Sequence, residues 1–115
     1  MSKKKRKSKP VNLAAVREAA VVLAKHLPAS PLLHNQWMSD SFGCEIYLKL
    51  ENMQPIGSFK IRGATNKIAG LTAKERKRGV IAASAGNHAQ GVAWGAKKLG
   101  VRATIVMPRG APLMK

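Results

Sequence analysis

The segment from Val80 to Met107 constrains the fold most. Val80-Ile81-Ala82-Ala83-Ser84 is a short apolar run of the kind found in buried strands, and Gly86-Asn87-His88 follows as a tight turn. Ala89 to Leu99 then reads as a helix with Val92, Ala93, Ala96 and Leu99 on one face, stopped by Gly100. Val101 to Met107 is a second strand, closed by Pro108. Strand, turn, helix and strand in under thirty residues make a βαβ unit, hence a parallel pair of strands. Ligands of such sheets bind beyond the carboxyl ends of the strands. Here that end is the turn Ser84-Ala85-Gly86-Asn87-His88. It leads into a helix N-terminus, where backbone N–H groups and the dipole favour an anion. Gly86 allows close approach, Ser84 adds a hydroxyl, and Asn87 adds a donor and an acceptor. Two readings stand side by side: a carboxylate or phosphate cradle, and a turn capped by its own Ser and Asn.

A second stretch carries an unusual charge. Glu45 to Leu50 alternates, with Ile46, Leu48 and Leu50 on one face and Tyr47 and Lys49 on the other, which predicts a strand. The chain then turns through Pro55 and Gly57, and Ser58 can cap a helix running to about Leu71. Lys60 and Ile61 fall in its first turn, and a cation there faces the positive end of the helix dipole. A lysine so placed has a physical reason to lose its proton and serve as a nucleophile toward a carbonyl carbon. The alternative is a surface lysine on an ordinary helix.

Before these segments, Asn12 to about Leu27 predicts an amphipathic packing helix with Asn12 as cap and Leu13, Val16, Ala20, Leu23 and Leu27 at helical spacing, stopped by Pro28. His26 at its end is expected to be exposed and favoured by the dipole. Ala29 to Gly43 reads as loop, with Trp37 and Met38 packing on the core. His34 has no second ligand at metal-binding spacing, so no metal is expected. Thr72-Ala73-Lys74-Glu75 is a capping box opening a short helix that Gly79 ends.

With 115 residues the chain holds at most one small domain, and no apolar run approaches the roughly 18 residues of a membrane span. The net charge is +16, and six of the 21 basic residues (Lys3, Lys4, Lys5, Arg6, Lys7 and Lys9) lie in residues 1–10. Residues 1–10 are expected to be a disordered basic tail, either merely solvated or contacting nucleic acid or an anionic surface through residues 3–9. Residues 11–115 form the folded part. Cys44 is the one cysteine, which excludes an intrachain disulfide, points to a reducing compartment and predicts a buried or half-buried thiol.

Lys49-Leu50-Glu51-Asn52 followed by Gly57-Ser58-Phe59-Lys60-Ile61-Arg62-Gly63-Ala64 resembles the cofactor-lysine segment of the fold-type II pyridoxal-phosphate enzymes, and within them the threonine (serine/threonine) dehydratases. Ala83-Ser84-Ala85-Gly86-Asn87-His88-Ala89-Gln90-Gly91-Val92-Ala93 and Ile105-Val106-Met107-Pro108 agree in order and spacing, and the resemblance runs from about residue 11 onward. It implies an α/β fold with part of a parallel sheet of the tryptophan synthase β-like kind, incomplete in this chain. It implies that Lys60 carries pyridoxal 5'-phosphate as a Schiff base, that Phe59 packs beside the cofactor ring and that Asn87 bonds its ring hydroxyl. Ser84, Ala85, Gly86, Asn87 and His88 would grip the substrate carboxylate.

The implied reaction is β-elimination of threonine or serine to a 2-oxo acid and ammonia, with Lys60 removing the α-proton. The setting would be cytoplasmic amino-acid metabolism, including isoleucine biosynthesis, by a homo-oligomer. Ala85 stands where serine racemases carry a proton-donating serine, which favours dehydration over racemisation. Other readings are a racemase, a threonine synthase, another enzyme of this scaffold, or a non-enzymatic basic protein that binds nucleic acid through its tail. Family members are longer and hold the cofactor phosphate on a downstream glycine-rich loop, so we expect an N-terminal portion that is poorly stable and inactive alone.

Overall fold

The computed structural model describes residues 11–111; the expected basic tail, residues 1–10, lies outside the described residues. In chain order the elements are α1 (Leu13–Ala24), β1 (Leu32–His34), α2 (Gln36–Phe42), β2 (Tyr47–Lys49), a 3-10 turn (Glu51–Met53), α3 (Lys60–Ala69), α4 (Ala73–Arg78), β3 (Val80–Ala83), α5 (Asn87–Lys98) and β4 (Ala103–Val106).

The βαβ unit forms as its pattern requires. β3 and β4 pair in parallel, with Val80 opposite Ala103 and Ala82 opposite Ile105. α5 covers one face of the pair. Ala82, Val92, Ala96 and Val101 pack there with Ala64 and Ile68 of α3. No described element covers the other face, and Ile81 is 74% exposed. β3 is therefore buried on one face only and is not the fully buried strand its composition suggests. Two paired strands and one helix layer cannot cover both faces.

α5 lies close on α3 because glycines face it. A Cβ at Gly91 would stand 3.0 Å from the Lys60 carbonyl oxygen, and one at Gly95 3.3 Å from Thr65 Oγ1. Position 91 meets residues 60 and 64, and position 95 meets 65 and 68. The two helices thus run in the same direction with their N-termini side by side. A second cluster, Leu23, Leu27 and Ile61 with Ile56 and Trp94, ties α1 to the start of α3.

The capping box holds as read: Thr72 Oγ1 accepts from the Glu75 amide at 3.3 Å and Glu75 accepts from the Thr72 amide at 2.8 Å. Gly79 then hands α4 to β3 at φ +83°, with the Arg102 carbonyl where a Cβ would project. Asn12 caps α1 through the Ala15 amide at 2.9 Å. The helix ends at Ala24, short of Leu27, and of its expected packing face only the C-terminal end packs. Leu13 and Val16 are exposed while Leu23 and Leu27 are buried, because α3 reaches only that end. His26 is half-buried, not exposed.

Residues 29–43 are not loop. Leu32 to His34 pairs antiparallel with Tyr47 to Lys49, and Asn35 caps α2 by accepting from the Met38 amide at 2.9 Å. Gly43 closes that helix in the left-handed conformation, φ +66°. Pro, Asn, Ser and Gly are breakers by type, but Asn35 and Gly43 are the two caps of a short helix. Trp37 is 75% exposed, not packed on the core, and Cys44 is exposed, not buried. Both lie on the side of α2 or just after it, where no described element covers them. His34 bonds Ser39 Oγ at 3.0 Å and lies 3.5 Å from Glu45.

A polar cluster joins the halves. Arg62 donates from Nε and Nη2 to the two Glu51 carboxylate oxygens, each at 2.7 Å. Ser30 Oγ donates to Glu51 Oε1 at 2.5 Å, and Lys49 Nζ donates to the Ser30 carbonyl at 2.6 Å. The Arg62 hydrogen bonds hold the Glu51 carboxyl down at about 2, from an ordinary 4.5, and raise Arg62 in turn.

A carboxylate lowered by folding adds stability above its unfolded pKa and loses it as pH falls through the folded one. Glu51 should therefore add up to about 3 kcal/mol above pH 4.5, lost progressively as pH falls toward 2. In urea unfolding at pH 6 and at pH 2.5, the gap between the parent chain and Glu51→Gln should shrink at the lower pH. Gly79→Ala should cost about 2 kcal/mol or more, from its φ and the blocked Cβ. Gly110→Ala, which meets nothing within 4 Å, should leave the urea midpoint unchanged.

Candidate active site

Lys60 is the first residue of α3, and Phe59 before it is the N-cap. No side chain caps this helix. Ser58, the expected cap, is buried, and its Oγ accepts from the Lys60 amide two residues on at 3.4 Å, although the helix itself starts with Phe59 as N-cap. The Lys60 side chain is exposed, with Nζ 5.0 Å from the centroid of the Phe59 ring, itself 59% exposed. An ammonium at that distance over an aromatic face is held by the ring quadrupole. The lysine therefore stands at the positive end of the helix dipole with an aromatic face beside it.

A groove of about 600 Å³ opens from this point. Phe59, Lys60, Arg62, Gly63, Ile81 and His88 are among the residues that line it. Gly63 has nothing within 4 Å of where a Cβ would stand, so the groove stays open beside Lys60.

The turn Ser84–His88 lies at the same end of the fold, since Gly91, one helical turn past Asn87, touches the Lys60 carbonyl. α5 begins at Asn87, two residues before its expected start, so Asn87 and His88 are helical and exposed. Gly86 is the N-cap and no side chain caps the helix. The space in front of Gly86 is open, as a ligand cradle needs. Ser84 Oγ accepts from the Gly86 amide at 3.2 Å, so the self-capping reading of this turn holds at Ser84.

Of the residues singled out by sequence, Lys60, Phe59 and His88 share the groove; Ser84, Ala85, Gly86 and Asn87 stand beyond its lining, at the head of α5. The arrangement offers an exposed primary amine, an aromatic face, and an uncapped helix N-terminus on one end of a parallel sheet. Those are the groups that an aromatic aldehyde cofactor and an amino-acid carboxylate require. Among the described residues no group of three His, Cys, Asp or Glu is placed to hold a metal ion.

Two pairs of contributors were missed in the sequence. Gly91 and Gly95 repeat at a spacing of four, a visible sign of close helix packing. Glu51 and Arg62 are opposite charges in neighbouring blocks, but nothing local shows that their side chains meet.

Comparison with known proteins places this geometry in a family. Residues 23–115 match the family described as "Pyridoxal-phosphate dependent enzyme". The "L-threonine ammonia-lyase" of Thermotoga maritima is 56% identical over 105 residues, covering 91% of this chain and 26% of that protein. The "L-threonine dehydratase catabolic TdcB" of Staphylococcus aureus is 51% identical over 106 residues, covering 91% of this chain and 31% of that protein. Among solved structures, serine racemase from Dictyostelium discoideum superposes with a TM-score of 0.85 at 38% identity, over 90% of this chain and 34% of that one. The processed form of threonine deaminase isoform 2 from Solanum lycopersicum superposes with a TM-score of 0.73 at 40% identity, over 92% of this chain and 31% of that one. The chain thus spans about a quarter to a third of the length of these relatives. From the parallel βαβ unit, the lysine heading α3 and a family match from residue 23 to residue 115, this chain belongs to the pyridoxal-phosphate dependent enzymes.

Proposed function

We propose that the chain supplies the cofactor lysine and the substrate-carboxylate turn of a threonine or serine dehydratase. The observation that carries this reading is Lys60: an exposed amine at the head of α3, over Phe59, lining the groove that His88 also lines. Lys60 would hold the aldehyde carbon of pyridoxal 5'-phosphate, Phe59 would cover one face of its ring, and Asn87 would meet its ring hydroxyl. When bound, the cofactor supplies an electron sink for the carbanion formed at the substrate α-carbon.

The chain's own residues do the rest. The head of α5, with Ser84, Ala85, Gly86, Asn87 and His88, binds the substrate carboxylate by backbone donors and the helix dipole. The Lys60 amine would take the α-proton onto Nζ and pass it to the β-hydroxyl, which would leave as water; the released enamine would be hydrolysed by water to a 2-oxo acid and ammonia.

Ala85 has no hydroxyl to deliver a proton from the opposite face, which favours elimination. The racemase likeness is the second reading, supported by the TM-score of 0.85. Chiral analysis of serine after incubation separates them: elimination yields pyruvate and leaves the L-enantiomer, racemisation yields D-serine.

Around this reaction we place a cytoplasmic setting, with isoleucine biosynthesis as a consumer of the four-carbon 2-oxo acid. A homo-oligomer would cover the exposed Trp37, Phe42 and Tyr47. Residues 3–9 would contact nucleic acid or an anionic surface, residues 1–10 being a tail ahead of the folded part, 11–115.

Borohydride reduction with pyridoxal 5'-phosphate should fix the cofactor on the peptide that contains Lys60, and Lys60→Ala should abolish that label. In an enzyme where this chain is completed by the downstream cofactor-phosphate loop, threonine should give 2-oxobutanoate, lost at least about a hundredfold in Lys60→Ala. Label spread evenly over other lysines would overturn the assignment.

A further inference from the structure

Lys60 begins a helix whose N-cap residue, Phe59, makes no side-chain bond to the first turn, and Ser58 Oγ accepts from the Lys60 amide only at 3.4 Å. First turns fray, so something else must fix this one. Two contacts do so. The first is Gly91, where a Cβ would stand 3.0 Å from the Lys60 carbonyl oxygen, so the missing side chain sets how close α5 comes to α3. The second is Arg62. With 3.6 residues per turn it lies about 200° around the axis from Lys60, and it lines the same groove, so a tether there fixes helix rotation.

That tether is a two-point one. Nε and Nη2 of Arg62 each donate to a different Glu51 oxygen at 2.7 Å, the parallel fork that gives direction as well as attraction. Nη2 also lies 3.4 Å from Ser30 Oγ, which donates to the same carboxylate. Glu51 stands in the 3-10 turn just after β2, Ser30 in the segment before β1, and Lys49 of β2 holds the Ser30 carbonyl. Two chain segments thus converge on one guanidinium, and Lys49 braces the one that carries Ser30. The pair is only partly exposed, 33% for Arg62 and 18% for Glu51, so solvent screens it less than a surface pair.

We propose that Arg62 and Glu51 are positioning residues for Lys60: their fork, braced by Ser30, sets the rotation of the first turn of α3 and so the direction in which the Lys60 amine stands. This rests on Lys60 being the cofactor lysine. A purely structural ion pair would stabilise the chain without changing which lysine an aldehyde finds.

The test uses the 115-residue chain and two readouts. In the first, pyridoxal 5'-phosphate condenses with lysine amines with loss of water, borohydride reduces the C=N bond to a secondary amine, and peptide masses give the share of label on Lys60. In the second, amide hydrogen exchange is followed at residues 60–64 and in α5. Arg62→Lys keeps the charge and loses the fork. It should cut the Lys60 share about tenfold and raise exchange at residues 60–64 while α5 stays protected. The swapped pair Glu51→Arg with Arg62→Glu should restore part of both. An unchanged Lys60 share and unchanged exchange in Arg62→Lys would overturn the proposal.

If the parent chain shows no preference for Lys60, the cofactor-lysine reading fails and exchange alone judges the tether. A rise confined to residues 60–64 supports it, and no rise overturns it. If Arg62→Lys loses protection in α5 as well, Ser30→Ala, which removes one brace, takes its place. Faster exchange confined to residues 60–64 then supports the tether, and no change overturns it.

Discussion

The packing of α5 against α3 is the contact on which the rest of this structure depends. Helices approach closely only where side chains are absent, and Gly91 and Gly95 clear that space opposite Lys60, Ala64, Thr65 and Ile68. The two helices run the same way, so their N-termini come together. One N-terminus carries Lys60 and the other carries the Ser84–His88 turn. A primary amine and an anion-favouring helix end are thereby placed side by side by backbone contact alone, before any side chain of the site is considered.

Charge is arranged around that contact. The chain has 5 acidic residues against 21 basic ones, so each carboxylate has many candidate partners. Glu51 takes Arg62 and braces the start of α3, and Glu75 is spent on the cap of α4. Lys97 and Lys98 stand in the last turn of α5, and Arg76, Lys77 and Arg78 in the last turn of α4, where the helix dipole favours them. Lys60 stands on the unfavourable end of its helix, as Arg62 does in the same turn and Lys74 does in α4. Lys60 also carries the chemistry we assign to the site.

Much of the fold was legible because its signals are local. Hydrophobic periodicity gave β3, α5 and β4, and Thr72 with Glu75 and Gly79 gave both ends of α4. The alternation of Ile46, Leu48 and Leu50 matched the half-buried face around β2. Local signals failed where burial depends on what lies across from a residue. Trp37 and Cys44 were expected inside by residue type, yet no described element covers them. Leu13 and Val16 keep helical spacing, yet α3 does not reach them. Asn35 and Gly43 are helix caps that resemble loop residues when their partners are unseen.

The candidate site divides in the same way. The sequence by itself determined which groups are present: a lysine opening a helix, an aromatic residue before it, and a Ser-Ala-Gly-Asn-His turn at the end of a strand. It determined the parallel βαβ unit as well, because strand, helix and strand follow one another within the reach of short connections. The tertiary structure decided which of these groups meet. The amine shares a groove with Phe59 and His88, Ser84 closes its own turn, and Arg62 reaches Glu51 across the chain. Those outcomes depend on interhelical distance and helix rotation. Both are set by contacts between residues distant in sequence, which no local pattern encodes.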